Sequence, residues 1–569
     1  MARVNRLAVL QLAGAVLLTA LYCGCSSGAP EEAGEPAIGQ DAPAPWFEEV
    51  AVERGLVFNH VSGYRERHLF PEIVGGGAAL FDMDGDGDLD AYLVQSGDLR
   101  DPGGPAGENR LFRNDGGGRF TDVTQDSKTG DRGYGMGVVA GDYDNDADID
   151  LYVTNVGRNT LLRNDGAGRF LDVTDAAGAG HEGWGTSGAF LDHDNDGDLD
   201  LFVTNYVEWS IRTEQTCYNA SGAEDYCLPT NYKTPGPDVF LRNEGDGTFT
   251  DVTEAAGFSA AFGNGLGVGT GDFDGNGFQD IFVANDTMLN QLWLNQGDGT
   301  FVDESLLRGC ALDEHGKAKA GMGVAVADID DDDDEDIVVV NLRGQTDSVF
   351  RNVDGFFEDA TGKFGMGQTS RWFTRFGVGL VDLDNDGKLD LFEANGRVVA
   401  NLESMTDDVF AEPNSVFRGL PDGRFEDVLP QGGTVEPLVE TSRAAAFGDV
   451  DGDGGIDVLV VNRDGPAHLL RNIVPERGNW ARVRVLDVHG RDALGARVGL
   501  QVGDRIVRRV VRSAFSYCAS NDAAVHVGLG DATAVDAVEV HWLDGTTETF
   551  PAVAAGSAAT IRQGQGKGN

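Results

Sequence analysis

Positive charge is scarce in this chain of 569 residues, where 43 Lys and Arg stand against 94 Asp and Glu for a formal net charge of −51. Nucleic-acid binding needs Lys and Arg clustered on phosphates, so the balance excludes it, and it equally disfavours docking on anionic lipid. Six cysteines are too few for a disulfide-built scaffold. No segment after residue 22 is apolar enough to span a bilayer. HExxH, Walker, GxSxG and strand-borne GxGxxG motifs are missing, which leaves no catalytic signature. Such an acidic chain would ordinarily be disordered. Yet 41% of its residues are hydrophobic, with 81 Gly and 30 Phe. The acidity must therefore be concentrated in places and neutralised there.

The N-terminus sets the compartment. Arg3 and Arg6 precede an apolar run from Leu7 to Tyr22, and small residues follow. A basic start and a short apolar core describe an export signal rather than a spanning helix. Gly24-Cys25 resembles a bacterial lipoprotein cleavage site, which implies that Cys25 becomes the acylated first residue. Tyr22 stands where that motif usually has Leu, so an ordinary signal peptide or an uncleaved anchor remains open. Residues 26–44, rich in Pro, Ala, Gly and Glu, read as a flexible tether.

One string recurs seven times: Asp-x-Asp-x-Asp-Gly-x-x-Asp, with first residues at 82, 142, 192, 272, 328, 382 and 449. The spacings run from 50 to 80, too irregular for a solenoid of identical turns but suited to blades of about 50 residues with insertions. A Gly/Ala-rich strand precedes each loop, as in Gly135–Gly141. An apolar strand follows, as in Leu151–Asn155, then an LxRN string, a Gly-rich turn and a Phe-x-Asp strand. Four short strands per repeat describe a propeller blade, with the small-residue strand innermost where blades converge. The Phe strand follows loops one to six but not loop seven. Phe47-Glu48-Glu49-Val50 supplies the missing piece from the N-terminus. The count predicts an all-β, seven-bladed propeller over residues 45–475, its last blade closed by the first strand.

Carboxylates at alternate positions of a loop that turns at its sixth residue converge on one point. Side-chain ligands are expected at positions 1, 3, 5 and 9, with the backbone carbonyl at position 7. Loops one to three then offer Asp82, Asp84, Asp86, Asp88 and Asp90; Asp142, Asp144, Asp146, Asp148 and Asp150; and Asp192, Asp194, Asp196, Asp198 and Asp200. Loop four offers Asp272, Asp274, Asn276, Phe278 and Asp280, and loop five Asp328, Asp330, Asp332, Asp334 and Asp336. Loop six offers Asp382, Asp384, Asp386, Lys388 and Asp390, and loop seven Asp449, Asp451, Asp453, Gly455 and Asp457. Oxygen-only ligands in a flexible loop select Ca²⁺ before Mg²⁺. Ion-free, two carboxylates about 4 Å apart repel by roughly 4 kcal/mol at an effective dielectric near 20. The seven stretches hold 34 of the 94 acidic residues, and seven Ca²⁺ would bring the net charge to −37. Ala147 and Asp333 stand where Gly is expected. Loop four, with three Asp, should bind most weakly.

These loops, with LxRN and GxGxFxDVT strings between them, resemble the FG-GAP/VCBS-type repeats of integrin-like propellers. The combination resembles the ASPIC/UnbV (cartilage acidic protein-like) family, as does the insertion Cys217–Asp238. From Asn479 the Asp loops cease. Trp480–Val485, Gly495–Val498, Val525–Gly530 and Val538–Gly545 resemble the ASPIC/UnbV domain itself, over about 476–562, with 563–569 as a tail. That implies a small antiparallel sandwich packed on the propeller; Cys518 and Asn521 depart from the usual string. Cys217 and Cys227 are expected to form a disulfide. Cys310 and Cys518 either pair or remain two buried thiols.

The densest polar group outside the repeats is His60, Tyr64, Arg65, Arg67, His68 and Glu72. It reads as surface decoration, or as part of a site at the propeller mouth. His193 reads as an outward loop residue, and Trp184 and Trp372 as packing between blades. The reading favoured is an exported, lipid-anchored binding module. Structural Ca²⁺ holds loops that meet an envelope or extracellular protein or glycan, and no catalytic residue is assigned. The alternative is an accessory or catalytic protein of a biosynthetic pathway, since UnbV relatives occur beside such pathways.

Overall fold

The computed structural model describes residues 43–401 and 406–568, so the signal segment, Cys25 and nearly all of the tether lie outside the described residues. Each Asp loop joins the first two strands of a four-stranded antiparallel sheet, and seven such sheets form blades 1 to 7 in chain order. Blade 2 is representative: Gly135–Gly141, Asp150–Arg158, Thr160–Asn164 and Phe170–Asp172, from the axis outward. Blade 7 takes its outer strand from the N-terminus, with Phe47 opposite Asn472 and Glu49 opposite Leu470. The closure read from the missing Phe strand is therefore present, and no blade edge is left open between the chain's two ends.

Small residues line the axis because neighbouring inner strands nearly touch. A Cβ on Gly267 would meet the Met322 carbonyl oxygen at 2.1 Å, and one on Gly323 the Phe376 carbonyl oxygen at 2.1 Å. Apolar layers fill the space between blades. Between blades 1 and 2, for example, Tyr92, Leu111, Val138, Leu151 and Val153 pack in one buried cluster. Each such side chain, fully buried, contributes about 1.5–3 kcal/mol.

The C-terminal domain has two sheets. Val525–Gly530, Asn479–Leu486 and Ser557–Arg562 form one, and Arg505–Val510, Arg497–Val502, Ala537–His541 and Thr547–Phe550 form most of the other. Two expectations need correction. Asn479–Leu486 and Ser557–Arg562 run parallel, so the domain is not wholly antiparallel. Lys567–Gly568 pairs with Thr547–Phe550, so the supposed tail belongs to the domain.

The segment Ser513–Asp522 leaves this domain and fills the central channel. Ala519 and Ser520 pair in parallel with Ala78 and Ala79 of blade 1. Ala140 N–H donates to Ser520 Oγ at 3.1 Å, and Cys518 N–H to Ser187 Oγ at 2.9 Å. Ser516 N–H donates to the Val324 carbonyl at 2.7 Å, Val378 N–H to Ser516 Oγ at 3.0 Å, and Phe447 N–H to Asn521 Oδ1 at 3.0 Å. Blade 4 joins through Arg512, whose Nε donates to the Thr270 carbonyl at 3.1 Å. With Arg512 counted, this stretch of chain bonds to all seven blades. Plugging the channel satisfies inner-strand groups that would otherwise face a narrow void.

Between the second and third strands, an Asn Oδ1 accepts the N–H that ends the second strand in four blades: Asn109, Asn159, Asn290 and Asn414. Blade 3 has Asp238 instead, accepting from Asn205 N–H at 2.9 Å. Burial pushes the Asp238 carboxyl up to about 7, against the pull of that N–H. The carboxyl holds its proton more tightly folded than unfolded, so its contribution to stability is lost as pH rises from about 4 through 7. Asp238→Asn should therefore stabilise the chain increasingly from pH 5 to pH 8, as measured by thermal melts. An equal effect at both pH values would contradict this.

Candidate metal centres

Every loop is built on one plan. Positions 4 and 6 turn through the left-handed region in all seven, with φ between 57° and 75° at position 4 and between 72° and 92° at position 6. Gly, Asn or Asp fills every position 4, residues that tolerate this conformation. The ninth-position carboxylate clamps the loop to its blade. Asp90 Oδ2 accepts Met83 N–H at 2.8 Å while its Oδ1 accepts Asn114 N–H at 2.7 Å, and the same pair recurs down to Asp457. The first-position carboxylate accepts N–H groups from inside its own turn, as Asp449 does from Gly452, Asp453 and Gly454.

The third position is different. Oδ1 of Asp84, Asp144, Asp274, Asp330 and Asp451 is buried and has no hydrogen-bond partner, as is Oδ1 of first-position Asp382. Ligand atoms of Asp82, Asp84 and Asp90, of Asp142, Asp144 and Asp146, of Asp192, Asp194 and Asp196, and of Asp272, Asp274 and Asp280 each lie within 4.8 Å of one another. Burial, with the neighbouring carboxylates adding to it, pushes Asp90 and Asp336 up to about 8. Crowded anionic oxygens without donors are what a hard cation would satisfy, so the donor set fits Ca²⁺. Arginine partly substitutes in two blades: Arg351 lies 2.5 Å from Asp330 and 2.6 Å from Asp332, and Arg418 lies 2.7 Å from Asp384.

Neighbouring loops are stapled together. The Asn of LxRN donates to carbonyls of two loops at once. Asn164 Nδ2 reaches Ile149 at 3.1 Å in its own loop and Met83 at 2.8 Å in the preceding one. Asn114, Asn243, Asn295 and Asn472 repeat the bridge, and Asn352 reaches the preceding loop at Phe273. Blade 6 has Gly419 at this place, so the seam between blades 5 and 6 lacks the staple. Lys388 of loop six instead lies 2.5 Å from Asp331 of loop five.

The loop face is roofed by the C-terminal domain, and its arginines stand over the acidic ring. Arg484 lies 3.5 Å from Asp82, Arg477 2.7 Å from Asp453, and Arg508 pairs with Asp333. Arg512 holds Glu335 through two bonds of 2.8 and 2.9 Å. Arg491 draws down the carboxyls of Asp142 and Asp192, Arg497 that of Asp272, and Arg509 that of Asp382, though burial outweighs them and all four stay raised. Backbone bonds add to the charge pairs: Gly478 N–H to the Asp384 carbonyl at 2.9 Å, and Gly530 N–H to the Asn385 carbonyl at 2.8 Å.

A family model described as ASPIC and UnbV matches residues 488–568, and one described as FG-GAP-like repeat matches 82–153, 142–203, 218–283 and 272–339. The C-terminal domain thus matches the ASPIC/UnbV module, and blades 1 to 5 match the FG-GAP-like repeat. Cartilage acidic protein 1 of Homo sapiens is 28% identical over 342 residues, covering 55% of this chain and 47% of that protein. The Mus musculus protein is 27% identical over 360 residues, 58% and 51% respectively. The chain thus spans about half the length of the curated relatives it matches. An Agrocybe aegerita lectin whose structure concerns recognition of terminal N-acetylglucosamine aligns over 69% of this chain and 86% of its own, at 16% identity and a TM-score of 0.36. A likeness at that score leaves the ligand of this chain open.

Several residues sit elsewhere than the sequence suggests. His193 points inward, 3% exposed, with Nδ1 2.5 Å from Asp200 Oδ2, because it packs on Phe240 and Phe301. Trp184 is buried against Phe70 and Tyr206 as expected, but Trp372 is 64% exposed and packs between no blades. Cys217 and Cys227 form the expected disulfide, with Cα atoms 5.1 Å apart. Cys310 and Cys518 are separate buried thiols.

The group before loop one divides. Tyr64, Arg65 and Arg67 are exposed, whereas His60 and Glu72 are buried. His60 Nε2 lies 3.0 Å from Ser96 Oγ, but its Nδ1 accepts Asp464 N–H at 3.3 Å. The proton is therefore on Nε2, and Ser96 passes its own to the Gly135 carbonyl at 2.9 Å. This imidazole donates to the serine instead of taking its proton. Burial holds it neutral, at about 4. Glu72 is bound to Arg100 at 2.9 Å, and His68 lies edge-on to Tyr226 with ring centroids 4.4 Å apart. The insertion from Tyr206 to Asp238 folds over this mouth, with Tyr232 stacked on Phe70 and Glu214 accepting from Trp209 Nε1 at 2.7 Å.

Ala147 holds φ 72° at position 6, where five loops have Gly. A non-Gly residue there costs about 1–2 kcal/mol, part of which the extra freedom of unfolded Gly offsets. Ala147→Gly should raise stability by about 0.5–1 kcal/mol in a urea titration. A loss of stability would contradict the strain.

Proposed function

We propose that the seven loops hold Ca²⁺ as structural ions in an exported binding module. One observation carries the ion assignment: the third-position carboxylate oxygens that are buried without a donor in five loops. Oxygen-only ligand sets, flexible turns and a charge of −51 support calcium over a softer metal. The ions serve structure because each would bridge carboxylates within one loop, while arginines of the C-terminal domain already engage that face.

The surface for a partner is then the opposite face. It is built from the connections between second and third strands and from those between blades. The Cys217–Cys227 disulfide stiffens the largest of these, and it also supports an oxidising compartment. The apolar segment after Arg3 and Arg6 supports export, and Gly24-Cys25 a lipid anchor at Cys25. A protein or a glycan of the envelope or cell exterior is the partner. The binding reading is preferred over the biosynthetic one because His60 and Glu72 are buried in bonds of their own.

Chelation tests this reading. A site saturated a hundredfold over its Kd contributes about 2.7 kcal/mol, so several sites together dominate stability. EDTA should lower the melting temperature of the purified chain sharply and open the Asp loops to protease, and Ca²⁺ should reverse both. An unchanged melting curve would refute structural calcium.

A further inference from the structure

Trp372 is anomalous among the seven tryptophans of the chain. The other six are buried or half-buried, whereas Trp372 is 64% exposed. It lies in the connection from blade 5 to blade 6, on the face opposite the Asp loops, because that connection leaves the fourth strand of one blade for the first strand of the next. Its loop is braced. Arg343 Nη1 donates to the Trp372 carbonyl at 2.6 Å and reaches Glu412 Oε1 at 3.1 Å. Arg371 donates to the Gly344 carbonyl through Nε at 3.2 Å and Nη2 at 3.0 Å, and Gly344 N–H returns a bond to the Arg371 carbonyl at 3.0 Å. Thr374 N–H donates to Glu412 Oε2 at 2.7 Å, which closes the frame. A loop braced by six such bonds loses little backbone entropy when the indole it carries binds a ligand.

The surrounding charge is positive on a strongly acidic chain. Arg343 and Arg397 share the single buried carboxylate of Glu412, with Arg397 Nε at 3.0 Å. Arg371 is exposed and has no carboxylate partner among the described residues. Arg343 keeps 43% of its side chain exposed. Three guanidinium groups thus stand against one carboxylate in the frame that carries the indole. The frame's side chains come from three connections but number only a handful, far below the 20–30 residues that a protein partner of standard interface size covers on each side. An indole face matches one sugar ring, and an arginine fork matches a carboxylate or sulfate.

We propose that Trp372, Arg371 and Arg343 form a subsite for one acidic sugar residue of a polysaccharide. The assignment rests on the uncovered face being the binding face and names its ligand class. The sugar ring stacks on the indole, and its anionic group meets Arg371 and Arg343.

Calorimetry on the calcium-loaded chain tests it with oligogalacturonate, a sulfated dextran oligomer and a neutral cello-oligosaccharide of equal length. At least one anionic probe should bind, about tenfold or more tighter than the neutral one, with the uronate and sulfate arms telling which anion is read. Trp372→Ala should weaken that binding by about tenfold and Arg371→Gln by about threefold, with melting temperature and calcium content unchanged. Bound sugar should also shield the exposed indole from acrylamide quenching. The proposal is overturned if neither anionic probe binds, if Trp372→Ala binds as the parent does, or if an oligoglutamate peptide binds as tightly as the sugars. Any of these results with calcium content and melting temperature intact removes the sugar subsite alone. Loss of the calcium response would instead remove the structural-ion reading.

Discussion

Repulsion among carboxylates packed into seven turns is the constraint to which the rest of this molecule answers. A nine-residue loop with four or more acidic groups closes only if something cationic or hydrogen-donating faces each oxygen. Backbone N–H groups take the first and ninth positions, as at Asp449 and Asp90. The third position is left over. Its oxygens are buried without a partner in five loops, and the proposed cation would answer that deficit. Because the ninth-position Asp also grips the LxRN strand, the state of the loop is transmitted directly into the sheet below it.

The C-terminal domain supplies a second layer of positive charge. In a chain so poor in Lys and Arg, the strands from Trp480 to Arg512 are conspicuously rich in arginine, and those arginines face the Asp loops. Several are half-buried, where ion pairs are screened less than at an open surface. The same domain sends Ser513–Asp522 down the axis, so roof and plug are one covalent unit. Docking of this domain and closure of the ring are therefore coupled: withdrawing the roof would also pull the strap out of six blades. The seam between blades 5 and 6 differs from the others. It lacks the Asn staple at Gly419, and it contains Arg375, whose Nε lies 2.7 Å from Asp347 Oδ1, though poorly aligned for a hydrogen bond, beside buried Glu393. In blades 2, 3, 4, 5 and 7 Gly or Ser stands opposite the Asn where blade 6 has Arg375.

Much of this was legible because the repeat is local. The Asp string, the Gly/Ala strand and the LxRN string each encode their role within a few residues. Counting Phe strands was then enough to place Phe47 on blade 7. What escaped depends on distant partners. Ser513–Asp522 has no alternation and no turn signal, and its bonds go to six blades that are distant in the chain. The Asn of LxRN is plain as a motif, but its bridge to the preceding loop exists only once blades are adjacent. His193 occupies a slot that points outward in a generic loop, and only its contacts with Phe240 and Phe301 turn it inward. The left-handed requirement at position 4 was open to view in the recurrence of Gly, Asn and Asp there. Trp372 was misplaced because an aromatic residue in a blade connection ordinarily packs, and exposure is decided by the surrounding loops.

The architecture assigns its two faces separate tasks. One carries the acidic turns beneath the arginines and backbone bonds of the C-terminal domain, and the other carries braced connections and a disulfide. The claim beneath this division is that divalent ions occupy the acidic turns. Metal analysis of the purified chain after gel filtration in calcium-free buffer measures that directly. The account predicts six or seven calcium ions per chain, loop four being the one to empty first, and less than one ion per chain would contradict it.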